Sequence, residues 1–173
     1  MRRILISGGS RGIGRAIVEA FAANGDRVAF IYRTREEEAA KVAHATGAVA
    51  IKADVSDPME VRRAITEAEA ALGGTIDVLV NNAAVSWIGQ MQDMTDEEWR
   101  RVLDTNLSGA FCLSRGVVSS MVRNRYGRIV NIGSMWGKVG ASCEVAYSAA
   151  KAGIRGLTMA MAKELGPSGI TVN

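Results

Sequence analysis

Cysteine and histidine are nearly absent from this sequence, which holds two of the former and one of the latter. Cys112 and Cys143 are far apart and in no ligand spacing, and His44 belongs to no motif. The sequence therefore predicts neither a disulfide framework nor a metal site, and its cysteine usage is typical of a reducing cytosol. We expect a cytoplasmic protein with His44 on a helix surface.

Long hydrophobic runs are also missing. No stretch approaches the roughly 20 apolar residues that a membrane-spanning helix needs. The run Ile4–Ile6, which follows Met1–Arg3, ends at Ser7 and is too short for the core of a signal peptide. The sequence therefore predicts neither a membrane span nor a signal peptide.

A strong charge of either sign is absent as well, because the formal net charge is +3 and the basic residues are scattered. That charge is too mild to indicate nucleic-acid binding. One short arginine cluster, Arg123, Arg125 and Arg128, has two interpretations. It is either a helix C-terminus, where cations offset the macrodipole, or a docking patch for an acidic partner.

Proline is as scarce as cysteine, whereas glycine contributes 19 of the 173 residues and 48% of residues are hydrophobic. Length and composition suit one globular domain, residues 1–173. Short apolar runs alternate with helical patterns along the chain. We predict strands at Ile4–Ser7, Val28–Tyr32, Ala48–Lys52, Ile76–Asn81, Gly127–Ile132 and Gly169–Asn173, and helices at 12–24, 35–46, 57–72, 95–123 and 147–165.

The predicted strands are apolar on both faces. Such strands, alternating with helices, indicate a parallel sheet that is covered on both sides. We therefore predict an α/β fold, a single-domain, doubly wound Rossmann-type sheet with strand order 3-2-1-4-5-6. Thr95 and Glu98, three residues apart, predict a capping box at the start of the helix 95–123.

A glycine-rich segment, Ser7–Gly14, lies between the first predicted strand and the first helix. Its glycines allow a tight turn, the close approach of a pyrophosphate and close packing of the helix, whose N-terminus offers unpaired N–H groups to phosphates. Glycines also serve other sharp turns, but this strand–turn–helix context favours dinucleotide binding. We expect cofactor contacts from Gly8, Ser10, Arg11, Gly12, Ile13 and Gly14.

The end of the second strand distinguishes NAD from NADP(H). An acidic residue there would bind the ribose of NAD, but no carboxylate occurs between Tyr32 and Glu36. Arg33 and Arg35 occupy this position, and Arg11 adds a cation from the glycine-rich segment. Because guanidinium groups suit a 2′-phosphate, we predict NADP(H), bound in part by Arg11 and Arg33. The competing interpretation is that Arg33 and Arg35 form a solvated helix entry.

Two more segments follow strands at the carboxyl edge of the predicted sheet, where such folds bind ligands. Asp54 and Val55 follow the third strand, and a carboxylate there can accept from the adenine amino group. Asn81 and Ala83, at the end of the fourth strand, are also predicted to contact the cofactor. We interpret Asn82 as a tie between adjacent strands.

Tyr147 and Lys151 are four residues apart and therefore share a helix face. Hydride addition to a carbonyl leaves an alkoxide that needs a proton, and an adjacent ammonium stabilises the phenolate of a tyrosine that donates one. Ser134 would hold the carbonyl oxygen, and Asn106 can reach the same cleft. We predict these four as catalytic residues, with Tyr147 and Lys151 also contacting the cofactor. Taken singly, Ser134 and Asn106 also fit a capped turn and a satisfied helix polar group.

Together these motifs resemble the short-chain dehydrogenase/reductase family over the entire chain. The matching segments are Gly8–Gly14, Asp54–Val55, Asn81–Ala84, Asn106, Ser134, Tyr147–Lys151 and Gly169–Asn173. The resemblance implies a Ser–Tyr–Lys triad. It also implies that the asparagine, here Asn106, supports a water that links the lysine to solvent as a proton relay.

The sequence resembles two branches of the family, which imply different substrates. The first resemblance is to the 3-oxoacyl-acyl-carrier-protein reductases of fatty acid biosynthesis, which implies NADPH-dependent reduction of a β-ketoacyl thioester. It further implies that an acidic carrier protein meets a basic site near Arg125. Ser168 departs from that branch, which often has a second basic residue at this position.

The second resemblance, carried by the segment Ser134–Tyr147, is to the elongation factor P 5-aminopentanone reductases. It implies reduction of a ketone on a modified lysine of a translation factor. Glu144 then suits an amine-bearing substrate, or it simply favours the helix dipole as a solvent-facing acid. Trp136 and Cys143 either wall a substrate pocket or pack.

The family pattern normally continues past Asn173, so we expect a fold that is C-terminally incomplete, without the last strand and a substrate lid. The resemblance also implies a homotetramer or dimer built partly on the helices 95–123 and 147–165. Their apolar residues would otherwise be exposed: Phe111, Leu113, Val117, Leu157 and Met161. A truncated NADP-binding module without turnover is the non-enzymatic alternative.

Overall fold

A single parallel sheet of six strands forms the centre of the protein, whose computed structural model describes residues 1–173. The strand order is β3-β2-β1-β4-β5-β6, with every neighbouring pair parallel. The predicted doubly wound α/β fold and its strand order are confirmed. The strands are β1 Arg3–Ser7, β2 Arg27–Tyr32, β3 Val49–Lys52, β4 Val78–Asn81, β5 Gly127–Asn131 and β6 Ile170–Val172.

Seven α-helices cover the two faces of the sheet: α1 Gly12–Ala23, α2 Glu36–Thr46, α3 Pro58–Leu72, α4 Asp96–Leu103, α5 Gly109–Asn124, α6 Trp136–Val139 and α7 Val145–Leu165. Successive side chains of a strand point to opposite faces. Leu5 of β1 therefore belongs to a core cluster of 20 buried residues shared with α3 and α5. Ile4 and Ile6 belong to a cluster of 10 shared with α1 and α2. Burial of one such side chain stabilises the fold by about 1.5–3 kcal/mol, so both helical layers hold the sheet in place.

The predicted helix 95–123 is interrupted in the structure. Thr95 forms the expected capping box with Glu98 at the start of α4. A π-helical turn, Asp104–Ser108, then separates α4 from α5. Apolar periodicity cannot detect this turn, because one wide turn shifts the register of the side chains without introducing a helix-breaking residue. The interruption falls on Asn106, a predicted site residue.

Two other predictions need correction. α7 begins at Val145 rather than at Tyr147, so Tyr147 lies inside its first turn. Leu113 and Val117 are not on an open face of α5, because both are buried in the larger core cluster. Phe111 is the exposed member of that group, with 43% of its surface accessible. His44 is exposed on α2, as expected. None of the helices combines the length and the apolar character needed to span a bilayer.

Candidate active site

The glycine-rich segment makes a sharp turn between β1 and α1. Gly8 and Gly12 have φ values of 72° and 55°, which glycine adopts readily and other residues do not. A Cβ added at Gly12 would meet nothing within 4 Å, so the backbone there is open to the cleft. A Cβ at Gly14 would overlap the carbonyl oxygen of Gly8, so α1 packs directly on the turn.

The N-terminus of α1 has no side-chain cap. Arg11, its N-cap residue, makes no capping hydrogen bond, whereas Asp57 caps α3 by accepting from the N–H groups of Met59 and Glu60. The first N–H groups of α1 and the positive end of its dipole are therefore available to a ligand. An open, glycine-lined helix N-terminus of this kind fits the pyrophosphate of a dinucleotide.

Arginine side chains border the same cleft beyond β2 and β3. Arg33 donates through Nη1 to Asp54 Oδ2 at 3.2 Å. Arg35 pairs with Glu38 at 3.6 Å, and Arg11 is exposed. These guanidinium groups supply hydrogen-bond donors of the kind that a phosphate group accepts from.

The cleft is a cavity of about 440 Å³ along the carboxyl edge of the sheet. Most of the residues predicted to contact a dinucleotide line it: Gly8, Ser10, Arg11, Gly12, Ile13, Gly14, Arg33, Asp54, Val55 and Ala83. Asn82, Val85 and Thr105 also line it. No sequence motif indicated Val85 or Thr105, apart from their proximity to the motif residues Ala84 and Asn106.

The Asn81 side chain is directed away from this cavity, which corrects its prediction as a cofactor contact. Its Nδ2 donates to Ser114 Oγ at 3.1 Å and to Asn131 Oδ1 at 2.8 Å, so it links β4 to β5 and α5. Asn82 Nδ2 instead donates to the carbonyl oxygens of Ser7 and Gly8, each at 3.1 Å. The interpretation of Asn82 as a tie between β4 and the β1 turn is confirmed.

Lys151 is the only buried lysine of the chain, with 5% of its surface exposed. Its Nζ donates to the carbonyl oxygen of Ile132 at 2.6 Å and lies 5.7 Å from the centroid of the Tyr147 ring. Burial lowers the pKa of Lys151 below its ordinary value. The shared helix face was predictable from the spacing, but the Ile132 carbonyl, a backbone group, carried no signal in the sequence.

Ser134 lies between β5 and α6, close in the chain to the Ile132 carbonyl that holds Lys151. Its Oγ accepts from the Trp136 N–H at 3.2 Å, which leaves the hydroxyl proton free to be donated. α6 packs tightly on α7, because a Cβ at Gly137 would lie 2.6 Å from the carbonyl carbon of Lys151. The structure thus brings the Ser134 loop against the helix that carries Tyr147 and Lys151.

Asn106 is buried in the π-helical turn. Its Oδ1 accepts from the Val85 N–H and its Nδ2 donates to the Val85 carbonyl, both at 2.8 Å. Its side chain therefore fixes the loop after β4 to the turn and makes no hydrogen bond with Lys151. π-helical turns of this kind are frequent at functional sites.

Glu144 is the N-cap residue of α7 and is half-buried. Its Oε2 accepts from Ser86 Oγ at 2.8 Å, and the Gly89 N–H donates to the Cys143 carbonyl at 3.0 Å. The acid is therefore held by the loop after β4 rather than simply facing solvent. Trp136, the first residue of α6, is also half-buried. No group of histidine, cysteine and acidic side chains is arranged to hold a metal ion.

Comparison of the sequence with known proteins identifies the family of this chain. Residues 2–173 match the family model described as short chain dehydrogenase. The chain is 40% identical over 171 residues to the 3-oxoacyl-[acyl-carrier-protein] reductase of Escherichia coli (strain K12), covering 98% of this chain and 69% of that protein. It is 44% identical over 172 residues to the acetoacetyl-CoA reductase of Rhizobium meliloti (strain 1021), covering 99% and 71%.

A third relative, the 3-oxoacyl-[acyl-carrier-protein] reductase of Staphylococcus aureus (strain Mu50 / ATCC 700699), is 41% identical over 174 residues. The match covers 98% of this chain and 70% of the relative. Together with the nearly full-length family match, these identities establish the class. The chain belongs to the short-chain dehydrogenase family, oxidoreductases that interconvert CH–OH and C=O groups with NAD(H) or NADP(H).

Proposed function

We propose that this protein uses NADPH to reduce a ketone to a secondary alcohol, and that the ketone is a 3-oxoacyl thioester carried on acyl carrier protein in the cytoplasm. The observation that carries the proposal is the position of Lys151. The lysine is buried, is held by the Ile132 carbonyl and lies beside Tyr147. A cleft that fits a dinucleotide lies along the carboxyl edge of the same sheet. A buried cation beside a phenol has little structural value, but it is what a proton-donating tyrosine needs.

The chain's own residues would share the chemistry. A bound NADPH supplies the hydride. Ser134 donates its free hydroxyl proton in a hydrogen bond to the substrate carbonyl, which positions the oxygen next to Tyr147. Tyr147 then donates its proton to that oxygen, and the Lys151 ammonium stabilises the phenolate that is left. Asn106 acts from further away, because both polar atoms of its side chain are bonded to Val85.

NADPH is proposed over NADH on the basis of charge. Arg11 and Arg33 line the cleft, and no carboxylate follows β2 before Glu36. Two guanidinium groups attract the 2′-phosphate that distinguishes NADPH, and neither of them is needed for NADH.

The thioester substrate is proposed from the relatives, two of which are named for 3-oxoacyl carrier-protein reduction and one for acetoacetyl-CoA reduction. Arg125 is exposed at the C-terminus of α5, where its Nη2 reaches the Pro167 carbonyl at 3.4 Å. We propose this region as the meeting point for an acidic carrier. Exposed Phe111 on α5 and Met159 on α7 support assembly as a homodimer or homotetramer.

The direct test measures NADPH oxidation by the chain with an acetoacetyl thioester as the ketone. Turnover should depend on the thioester, should be faster with NADPH than with NADH at equal concentration, and should fall about 10²–10⁴-fold in Ser134→Ala. Ser142→Ala, an exposed serine in the loop before α7, is the matched control and should leave turnover unchanged. Equal turnover by Ser134→Ala, or oxidation that does not depend on a ketone, would overturn the proposal.

A further inference from the structure

One ion pair joins two residues that both line the cleft. Arg33 and Asp54, at the ends of β2 and β3, meet at 3.2 Å between Nη1 and Oδ2. The neighbouring pairs differ, because Arg35 and Lys52 reach outward to Glu38 and Glu36, neither of which lines the cleft. Of the cations at this rim, Arg33 alone is held by a residue of the cleft itself.

Asp54 is itself firmly held. Its Oδ1 accepts from the Ser56 N–H at 2.9 Å and from Ser56 Oγ at 2.6 Å, and its own N–H donates to Glu60 Oε2 at 2.8 Å. Oδ2 is the remaining oxygen, and it is the one that meets Arg33. Burial alone would raise the pKa of Asp54, but the hydrogen bonds from Ser56 and Arg33 outweigh it and lower the pKa. The acceptor for Arg33 is therefore an anchored carboxylate.

The pairing leaves Arg33 able to bind a phosphate. Only Nη1 is used, so the other guanidinium N–H groups remain free to form further hydrogen bonds. A free arginine side chain loses rotamer entropy when it is ordered. A side chain already held in place loses less when a ligand binds.

We propose that Asp54 is a positioning residue that holds Arg33 where the adenosine ribose lies, and that it thereby sets the preference of the site for NADPH over NADH. The inference rests on the proposed use of NADPH. The positioning role and a simple charge effect predict opposite changes in NADPH binding when Asp54 loses its charge. A carboxylate near a phosphate is repulsive, so removing its charge would strengthen NADPH binding if Asp54 acted only through its field.

Asp54→Asn is the decisive substitution, because the carboxamide can still hold the Ser56 turn but no longer accepts a hydrogen bond from Arg33. Its Oδ1 can still accept from the Ser56 N–H and preserve the turn. That orientation places Nδ2, a donor, opposite the Arg33 guanidinium, which is also a donor. The loop stays anchored while Arg33 loses its acceptor.

The experiment measures dissociation constants of NADPH and NADH by fluorescence titration, which requires no turnover. NADH shares every group except the 2′-phosphate, so its constant reports folding and adenine contacts. Asp54→Asn should weaken NADPH relative to NADH by about 1.5- to 5-fold, the range expected for an exposed ion pair. The same substitution in an Arg33→Gln background should leave the ratio unchanged. Glu36→Gln removes a negative charge from the same rim without touching Arg33 and should also leave it unchanged.

The outcomes separate the two proposals. A wild-type protein that binds NADH as tightly as NADPH would overturn the proposed cofactor. If the wild type prefers NADPH, an unchanged or increased preference in Asp54→Asn overturns the positioning role, as does an equal effect in the Arg33→Gln background. Should Asp54→Asn fail to bind NADH, Ser56→Ala gives the test instead. It loosens Asp54 without changing its charge and should reduce the preference about twofold, whereas no reduction would overturn the role.

Discussion

The proposed site has two ends, a cofactor end at the cleft and a catalytic end at Ser134, Tyr147 and Lys151, and they are built from different parts of the chain. At the cofactor end, around β1, β2 and α1, the backbone forms the site, through the positive φ of Gly8 and Gly12 and the uncapped start of α1. At the catalytic end, around β4, β5 and α7, side chains form the site. Lys151 is buried against a carbonyl, and Asn106 is bonded to Val85 on both of its polar atoms.

This difference determines how each end is damaged. A backbone site fails when a Cβ is added, because the ligand and the turn compete with it for space. A side-chain site fails when one polar group is removed, and it leaves binding at the other end intact. The two ends should therefore be separable by substitution, with dinucleotide affinity reporting on one and turnover reporting on the other.

The largest effect on dinucleotide affinity is expected for Gly14→Ala. The new Cβ would overlap the Gly8 carbonyl oxygen and lie 2.5 Å from Asn82 Nδ2. Overpacking of this kind costs about 1–3 kcal/mol, so dinucleotide affinity measured by titration should fall about 10- to 100-fold. Gly156→Ala in α7 is the control, because its Cβ meets nothing within 4 Å and affinity should be kept. Wild-type affinity in Gly14→Ala would contradict a backbone-built cofactor end.

A smaller effect is expected for Gly137→Ala, which disturbs the catalytic end alone. Its Cβ would press on the Lys151 backbone at 2.6 Å and shift α6, and with it Ser134, away from α7. Turnover should fall about tenfold, while the dissociation constant of the dinucleotide stays within about twofold. Steady-state kinetics and titration on one preparation check both. Equal losses of affinity and turnover would show that the two ends are not separable.

The smallest effect is a pH dependence of stability that comes from Lys151. Burial lowers its pKa in the folded state, so between that value and the unfolded value the unfolded chain binds more protons. The free energy of unfolding therefore rises with pH through this window, and the cost of the buried charge is fully present below it. Denaturant unfolding of wild type and Lys151→Met at increasing pH should show this rise only in the wild type. Parallel curves for the two proteins would contradict a desolvated Lys151.

Most residues that line the cavity at the cofactor end could be predicted from the sequence. Glycines constrain the backbone directly, so their spacing after a short apolar run indicates a turn and an open helix start. Gly8, Gly12 and Gly14 accordingly lie where the pattern predicted them. The charges at the ends of β2 and β3 were also visible, but the Arg33–Asp54 pair was not, because β2 and β3 are joined by a whole helix.

The catalytic end was predicted less completely. The spacing of Tyr147 and Lys151 was readable because both residues lie on one regular helix. The π-helical turn at Asn106 and the Ile132 carbonyl that holds Lys151 were not, since backbone irregularities and backbone acceptors leave no residue-type signal. Asn81 and Asn82 show the same limit. Two identical neighbours at the end of a strand point in different directions, and only the structure shows which one meets the cleft.

Tyr147→Phe is the sharpest test of Tyr147 as the proton donor, because it removes only the hydroxyl that would donate the proton. NADPH oxidation with acetoacetyl thioester and NADPH titration should be measured on the same preparation, with Tyr126→Phe, an exposed tyrosine, as the matched control. We predict that turnover falls about 10²–10⁴-fold in Tyr147→Phe while the dissociation constant of NADPH changes by less than about fivefold. Turnover at the wild-type rate would contradict the account.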